Sequence, residues 1–255
     1  MSRGRKAAYW IGGIIAGLVL VVVGGTWAYI HVFSSDPEPA FSLNPGTTTA
    51  TATAAASTAG ASAGTASTTT TAATSTADDS SSNDRSTWQV ADGSQAGYRV
   101  KEVLFGQSTE AVGRTNEVEG QLTISGTTAN SASFTVQVDT IKSDESRRDS
   151  QFTQRIMSTS QFPTATFKLT QPIDFGSIPA DKVEIKANAT GDLTLRGVTK
   201  SVTFPVTARR NGANLEVSGS IPVVFADYKI PNPSTAGITT EDNGVLEFLL
   251  VFAQA

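Results

Sequence analysis

Residues 191–206 have the sequence GDLTLRGVTKSVTFPV, and this stretch decides the fold. Before Gly197, Leu193 and Leu195 alternate with polar residues, which is the two-residue period of a half-buried strand. After the glycine, the same alternation resumes around Phe204. Gly197 suits a backbone reversal because glycine adopts positive φ at little cost. The stretch therefore predicts a β-hairpin with one apolar face.

The same alternation predicts eight strands between residue 95 and residue 253, separated by turn signals. Asn211-Gly212 is the strongest of these signals. Eight strands with alternating faces favour an all-β, antiparallel barrel, although a two-sheet sandwich gives a similar pattern. The predicted strands are Gln95–Phe105, Thr115–Ser125, Asn130–Thr140, Pro163–Gln171, Lys182–Leu195, Thr199–Arg210, Ala213–Val224 and Gly244–Ala253.

One short helix is predicted between the third and fourth strands, over Asp144–Met157. Ser143 or Asp144 is a suitable N-cap, and Phe152 and Ile156 form its apolar stripe. We expect this helix to lie across one opening of the barrel.

Five pieces of the sequence, taken together and in order, resemble a known family. They are Gly113-Arg114-Thr115, Val118-Glu119-Gly120, Arg148-Asp149, the FPTATF of residues 162–167 and the hairpin itself. From about Trp88 onward, the chain resembles the YceI-like family of periplasmic and secreted polyisoprenoid-binding proteins. The resemblance implies a lipocalin-like barrel that holds a long isoprenoid chain in its interior.

Residues 1–33 are predicted to be a membrane anchor. Three basic residues at positions 3, 5 and 6 precede a run from Ala7 to Phe33 in which one histidine is the only ionisable group. From Trp10 to Phe33 a helix would be about 36 Å long, enough for a ~30 Å hydrocarbon core. A cleaved signal peptide is the alternative, but its apolar core is usually shorter, and no clean cleavage site follows this run. The basic start predicts a cytoplasmic N-terminus and an extracytoplasmic remainder.

Residues 34–87 are predicted to be a disordered linker. Between Thr47 and Ala77 every residue except two glycines is Thr, Ala or Ser. Such a segment has no large apolar side chains to bury and cannot offset its ordering entropy. As a flexible coil it would reach about 40 Å. We therefore expect a stalk that holds the barrel domain, residues 88–255, away from the membrane.

The barrel domain has nearly balanced charge. It contains 15 Lys and Arg residues against 18 Asp and Glu residues, which offers no electrostatic footprint for nucleic acid. We therefore predict no nucleic-acid partner. The sequence contains no cysteine, so disulfides and a lipid-modified cysteine are both excluded.

The fifth predicted strand indicates an internal cavity. On its apolar face, Ala187, Ala189 and Gly191 form a small-residue centre between larger side chains. Small residues at the mid-height of a closed barrel leave an apolar void. The alternative is that they let a bulky phenylalanine approach closely. With the family resemblance added, the cavity is favoured.

The predicted ligand contacts are the apolar residues at alternating strand positions, together with aromatic residues at the opening. Phe152 and Phe162 flank the opening, and Tyr228 is a rim aromatic that could give a headgroup a hydrogen bond. The full set is Phe134, Val136, Phe152, Ile156, Phe162, Phe167, Ala187, Ala189, Leu193, Phe204, Val206, Phe225 and Tyr228.

No catalytic site is predicted. The only histidine, His31, lies in the predicted anchor, so the barrel domain lacks the commonest general base, and without cysteine it also lacks the thiol nucleophile and the usual zinc ligands. Glu117 and Glu119 share a strand face, but Val118 opposite them makes this the solvent face. Residues 241–243, Glu-Asp-Asn, could coordinate calcium, although a solvated loop is preferred. We predict no metal and no cofactor other than a bound isoprenoid lipid.

Two function classes remain. The favoured one is a membrane-tethered, extracytoplasmic lipid-binding protein that holds a quinone or polyprenyl chain in its barrel. The alternative is a structural or adhesive envelope domain with a filled core.

Overall fold

The computed structural model describes residues 37–43, 85–235 and 237–255. The predicted anchor, and most of the predicted linker, lie outside these residues. Across the described part of the chain, every helix is too short or too polar to cross a membrane.

The described chain is almost entirely antiparallel β-structure. A short helix, α1 (Ser146–Gln151), continues directly into a π-helical turn, Phe152–Ile156, and two 3-10 turns cover Val138–Thr140 and Phe225–Tyr228. The strands are β1 Arg85–Val90, β2 Gln95–Leu104, β3 Gln107–Thr115, β4 Val118–Ser125, β5 Thr128–Gln137, β6 Lys142–Ser143, β7 Thr164–Leu169, β8 Ile173–Asp174, β9 Ile185–Leu195, β10 Val198–Asn211, β11 Asn214–Val224, β12 Ile238–Thr240 and β13 Asn243–Gln254.

Eight of these strands form a closed ring, which confirms the predicted eight-stranded antiparallel barrel. The order around the ring is β1-β4-β5-β7-β9-β10-β11-β13, and β1 pairs with β13 to close it. Closure removes the exposed strand edges that an open sheet would have. The predicted helix is also confirmed, but its N-cap is Glu145, whose carboxylate accepts a hydrogen bond from the Arg147 amide at 3.2 Å.

The membership of the ring differs from the prediction at one place. The first predicted strand corresponds to β2, which pairs with the first half of β13 (Phe248 opposite Ala96) outside the ring. The second half of β13 pairs with β1, with Trp88 opposite Gln254. β3 pairs with β2 in a hairpin and was not predicted, because its inward positions are the small residues Ala111 and Gly113.

The two predicted hairpin turns are present. Arg196 and Gly197 both have positive φ, 46° and 73°, between paired Leu195 and Val198. This combination matches the right-handed twist of the flanking strands. The turn at residues 211–214 also joins its strands, β10 and β11, through two residues, but only Gly212 has positive φ, 61°.

Two stretches within the predicted linker range belong to the barrel. β1 begins at Arg85 and supplies the closing strand. Residues 37–43, which we call the strap, pack against the barrel surface, where Leu43 is only 3% exposed. Residues 44–84 lie outside the described structure, so for them the linker stays a prediction.

Candidate ligand-binding cavity

The barrel interior contains a cavity of about 680 Å³ that opens at one end, which we call the mouth. The mouth is bounded by the β2–β3 turn, by α1 and by the segment that leads into β12. The volume falls within the range of about 300–1,000 Å³ that is usual for ligand pockets.

The walls of the cavity are mainly apolar, because alternate side chains of each strand point inward. On β2 the inward residues include Ala96, Tyr98 and Val100, and on β9 they include Leu193 and Leu195. Such a surface binds apolar groups without leaving a buried polar group unpaired. Further apolar wall residues include Phe134, Val136, Val138, Ala165, Ile221, Val223, Phe225, Leu246 and Phe248.

The helix covers part of the mouth, where the sequence predicted it. Phe152 in the π-helical turn is 8% exposed, and its ring stacks on Tyr98 with 4.8 Å between centroids. Ile156 follows it along the cavity wall. On the outside, Arg155 donates to the carbonyl of Pro233 at 2.9 Å, which connects the helical lid to the opposite rim.

Charged groups are concentrated at the mouth. The Arg148 guanidinium contacts Asp144 and lies 3.3 Å from the carboxylate of Glu102, whose side chain is only 9% exposed. Burial raises the pKa of Tyr98 well above its usual value, with nearby Arg148 opposing the shift, so this phenol stays protonated at ordinary pH. The mouth therefore offers hydrogen-bond donors and acceptors, whereas the depth of the cavity is apolar.

Four phenylalanine rings close the bottom of the cavity, and we call them the aromatic floor: Phe134, Phe167, Phe204 and Phe248. Phe134 stacks on Phe167 and contacts Phe248, with centroids 5.3 Å and 5.5 Å apart. Phe204 meets Phe167 and Phe248 edge to face, at 5.3 Å and 6.0 Å. Edge-to-face and offset arrangements are the favoured geometries of aromatic pairs.

Below the floor lies a second apolar cavity of about 150 Å³. Phe134 and Phe248 line both spaces, so the floor is the partition between them. The Phe167 ring can occupy its place in this partition only because residue 191 is glycine. A Cβ at Gly191 would lie 2.5 Å from the ring. The small residues of β9 thus admit a phenylalanine at mid-height, which is the alternative that the sequence left open.

The predicted contacts divide among three places. Phe134, Val136, Phe152, Ile156, Leu193 and Phe225 line the large cavity. Phe167, Ala189, Phe204 and Val206, with Phe134 again, line the small cavity. Phe162, Ala187 and Tyr228 line neither of the two cavities.

The residues outside the cavities have structural surroundings of their own. Phe162 packs on the hairpin turn, where a Cβ at Gly197 would lie 2.6 Å from its ring, and the Arg196 guanidinium lies 5.9 Å from the ring centroid. Tyr228 is 3% exposed within the core, and burial raises its pKa, with Asp227 adding to the shift. That any of the thirteen residues touches a ligand stays a prediction.

Sequence reasoning missed the wall that β2 supplies and the charges at the mouth. The alternation of Ala96, Tyr98, Val100 and Leu104 on β2 was a usable signal. Glu102 interrupts this apolar face, and Arg148 was noticed only within the family resemblance. Their pairing depends on the placement of α1 against β2, which residue spacing does not reveal.

The acidic residues weighed for other chemistry have ordinary roles. Glu117 and Glu119 are exposed, with Val118 buried between them. Asp242 accepts a hydrogen bond from Asn232 at 2.7 Å beside β13. In the described ranges, no cluster of three or more His, Cys, Asp or Glu residues has the arrangement of a metal site.

A closed antiparallel barrel with an apolar cavity open at one end defines the class of lipocalin-like barrels. The family comparison is more specific. The YceI-like domain matches residues 41–252, and the chain belongs to this family. No curated protein matches the chain.

The chain is similar to several solved structures. A polyisoprenoid-binding domain from Saccharophagus degradans, implicated in plant cell wall breakdown, superposes with a TM-score of 0.55 at 14% identity, over 67% of this chain and 99% of that domain. BcnA from Burkholderia cenocepacia gives 0.47 at 24% identity, over 60% and 95%. The YCEI protein of Campylobacter jejuni gives 0.43 at 14% identity, over 56% and 84%.

Proposed function

We propose that this protein binds an isoprenoid lipid, with the apolar chain in the large cavity and the polar head at the mouth. The observation that carries the proposal is the cavity of about 680 Å³, whose walls are mainly apolar and whose opening carries Glu102, Arg147 and Arg148. A long apolar chain with one polar end has the same distribution of polarity. The solved relative described as polyisoprenoid-binding supports this ligand class.

The two ends of the ligand would meet different groups. The tail would end against the aromatic floor. A hydroxyl or carbonyl head would lie near Tyr98, Glu102 and Arg148, where a protonated phenol can donate and a carboxylate can accept. The alternative function, a structural or adhesive envelope domain, requires a filled core. The open cavity at the mouth end of the barrel therefore favours lipid binding. The proposal assigns no reaction to the protein.

We further propose that residues 1–33 anchor the protein in the cell membrane, with the barrel extracytoplasmic. The uncharged run and the basic start support this topology. Protease added to intact cells should release the barrel. Release only after lysis would reverse the topology, and spontaneous release by cleavage near residue 33 would replace the anchor with a signal peptide.

The binding proposal is tested with the full-length chain purified in detergent. Organic extraction and mass spectrometry should recover about one isoprenoid per protein. Ala165 lies on the cavity wall, so Ala165→Trp should fill the space and reduce the recovered lipid severalfold. The matched control is Lys168→Trp, on the exposed face of the same strand, which should retain normal lipid content. Recovery of no isoprenoid from the wild type would refute the proposal.

A further inference from the structure

The strap is held on the outer face of the sheet formed by β13, β2 and β3. Glu247 on β13 is only 4% exposed and lies 3.3 Å from Arg99 and 2.9 Å from Arg114. Arg114 also forms an ion pair with Glu38 of the strap at 2.9 Å, and its guanidinium lies 3.9 Å from the ring centroid of Phe41. The strap is therefore fixed by ion pairs, a cation–π contact and apolar burial.

The contacts give the strap a direction. The backbone carbonyl of Glu38 accepts from Arg99 at 2.6 Å and its carboxylate pairs with Arg114, whereas the later strap residues Pro39 and Phe41 contact only Arg114 of these two arginines. Arg114 pairs with Gly97, which is farther from the β2–β3 turn than Arg99 is. The strap thus runs away from the mouth as the chain proceeds, and its upstream end points toward the mouth.

Only a few residues connect the upstream end of the strap to the proposed anchor. Four residue steps separate Phe33 from Pro37, a reach of at most about 14 Å. Arg99 lies five residues before the end of β2, or about 17 Å from the tip of the β2–β3 hairpin. The two lengths are comparable, so the chain before Pro37 is long enough for the proposed anchor to end at the level of the hairpin tip. Residues 44–84 then join two points of the same domain and do not set its height above the membrane.

The tip of the β2–β3 hairpin carries a large aromatic side chain that is mostly exposed. Phe105 is 67% exposed although it is large and apolar, and its φ is 48°. The positive φ belongs to a two-residue hairpin turn, Phe105-Gly106, and the ring lies beside Gly237, where a Cβ would be 2.5 Å from it. Asn or Asp is more usual than Phe at such a turn, so the exposure of the ring is the unfavourable feature. Val103 beside it is also exposed, at 40%. Both residues lie at the end of the barrel where the cavity opens.

We propose that the barrel lies with its mouth on the membrane surface, with the Phe105 ring in the interface, so that an isoprenoid passes between bilayer and cavity without crossing water. This inference rests on the proposed anchor and the proposed ligand. Phe105 lies at the hairpin tip and also lines the mouth. The surface that would contact the membrane is therefore also the entrance to the cavity. The mouth carries exposed charges of both signs, Asp144 and Glu145 beside Arg147. This surface has no net positive charge that would attract anionic lipids, so insertion of the apolar ring drives the contact.

The absence of cysteine from the sequence permits a direct test. A single cysteine is introduced by Val103→Cys and labelled with an environment-sensitive fluorophore in the full-length chain. The protein is reconstituted into phosphatidylcholine vesicles that carry a doxyl-labelled lipid quencher. The matched control is Ile178→Cys, which is 66% exposed beside the small cavity at the other end of the barrel. We expect strong lipid-borne quenching at position 103, little quenching at 178, and no weakening in high salt.

Two further variants test whether the Phe105 ring and the strap are responsible for the quenching at position 103. Phe105→Ser should reduce the quenching at position 103, because the ring that enters the interface is gone. Phe41→Ala should also reduce it, because a released strap lets the barrel move away from the anchor. Equal quenching at both labels, or none at either, overturns the proposal. Protection of position 103 from both lipid-borne and aqueous quenchers would mean that a protein covers the surface and would also overturn it.

The outcomes separate this inference from the proposed function. Isoprenoid recovered from the wild-type protein without quenching at position 103 refutes the docking and leaves the lipid carrier. Quenching without any recovered isoprenoid refutes the carrier and leaves a membrane-docked barrel.

Discussion

Removing one ring from the aromatic floor should change the length of lipid that the barrel accepts. In Phe134→Ala, the partition between the cavities of about 680 Å³ and about 150 Å³ would lose a side chain that borders both. The two spaces should then join into one longer channel. A longer isoprenoid would fit with its tail below the former floor.

The cost in stability follows from the contacts of the ring. Truncating a core phenylalanine usually costs about 3–5 kcal/mol. Phe134 already borders a void on each side, so its loss should cost about 3 kcal/mol, the lower end of that range. Its two aromatic contacts, to Phe167 and Phe248, supply ~1–3 kcal/mol of this. For a domain of this size, the melting temperature should fall by about 6–12 °C.

The assay measures the thermal shift with farnesol, geranylgeraniol and solanesol, which increase in length in that order. A ligand that binds only the native state stabilises it by mass action. The wild type should prefer the shorter alcohols, and Phe134→Ala should shift the preference toward solanesol.

The control is Phe252→Ala, because Phe252 is 4% exposed and lines only the small cavity. It should lose similar stability and keep the wild-type length preference. If Phe134→Ala loses stability but keeps that preference too, the floor does not limit the ligand and the argument fails.

Three further predictions concern stability. Gly191→Ala should cost about 1–3 kcal/mol in denaturant unfolding, because the added Cβ would lie 2.4 Å from the Lys168 carbonyl oxygen and 2.5 Å from the Phe167 ring. A cost near zero would show that both β7 and the floor move freely. Burial raises the pKa of Tyr98 above the ordinary tyrosine value of about 10, so its contribution to stability is complete below about pH 10 and is lost as pH rises toward the higher pKa of the folded state. Tyr98→Phe should therefore flatten the alkaline decline in melting temperature, and an unchanged decline would contradict this assignment. Glu247→Gln should lower the free energy of unfolding by about 1–3 kcal/mol, because this carboxylate is 4% exposed between two arginines. Glu110→Gln should lower it clearly less, because Glu110 is 34% exposed. Equal losses in chemical unfolding would show that burial of Glu247 does not determine its contribution.

The barrel was predictable because its strands carry a period of two. β9 and β10 alternate clearly around Gly197, and the interior face of β9 is the one that the sequence indicated. β3 was missed because Ala111 and Gly113 leave no large apolar side chains to alternate. Their small size has a tertiary cause, since a Cβ at Gly113 would lie 2.5 Å from the Tyr98 ring.

The cavity was only partly predictable. Alternation identifies which residues point inward, but it does not tell whether an inward phenylalanine lines a space or fills it. Phe134 and Phe204 have the same pattern, yet one borders both cavities and the other borders only the small one. The strap could not be predicted from the sequence, because Glu38 and Phe41 lie in a short stretch before the low-complexity segment. Their partner Arg114 on β3 is far away in sequence, so residue spacing does not reveal the contact.

The shared use of β13 has a consequence for the order of folding. The strand pairs with β2 through its first half and with β1 through its second half, so Trp88 meets Gln254 across most of the domain sequence. Pairings over such long separations form late, because loop closure costs entropy before the contact is made. While the chain is being synthesised, β1 through β11 can pair with their neighbours, but the ring stays open until β13 arrives. A nascent chain that lacks its last strand therefore leaves three strand edges unpaired, those of β1, β2 and β11, and has no sealed cavity, so lipid retention begins only when β13 has been made.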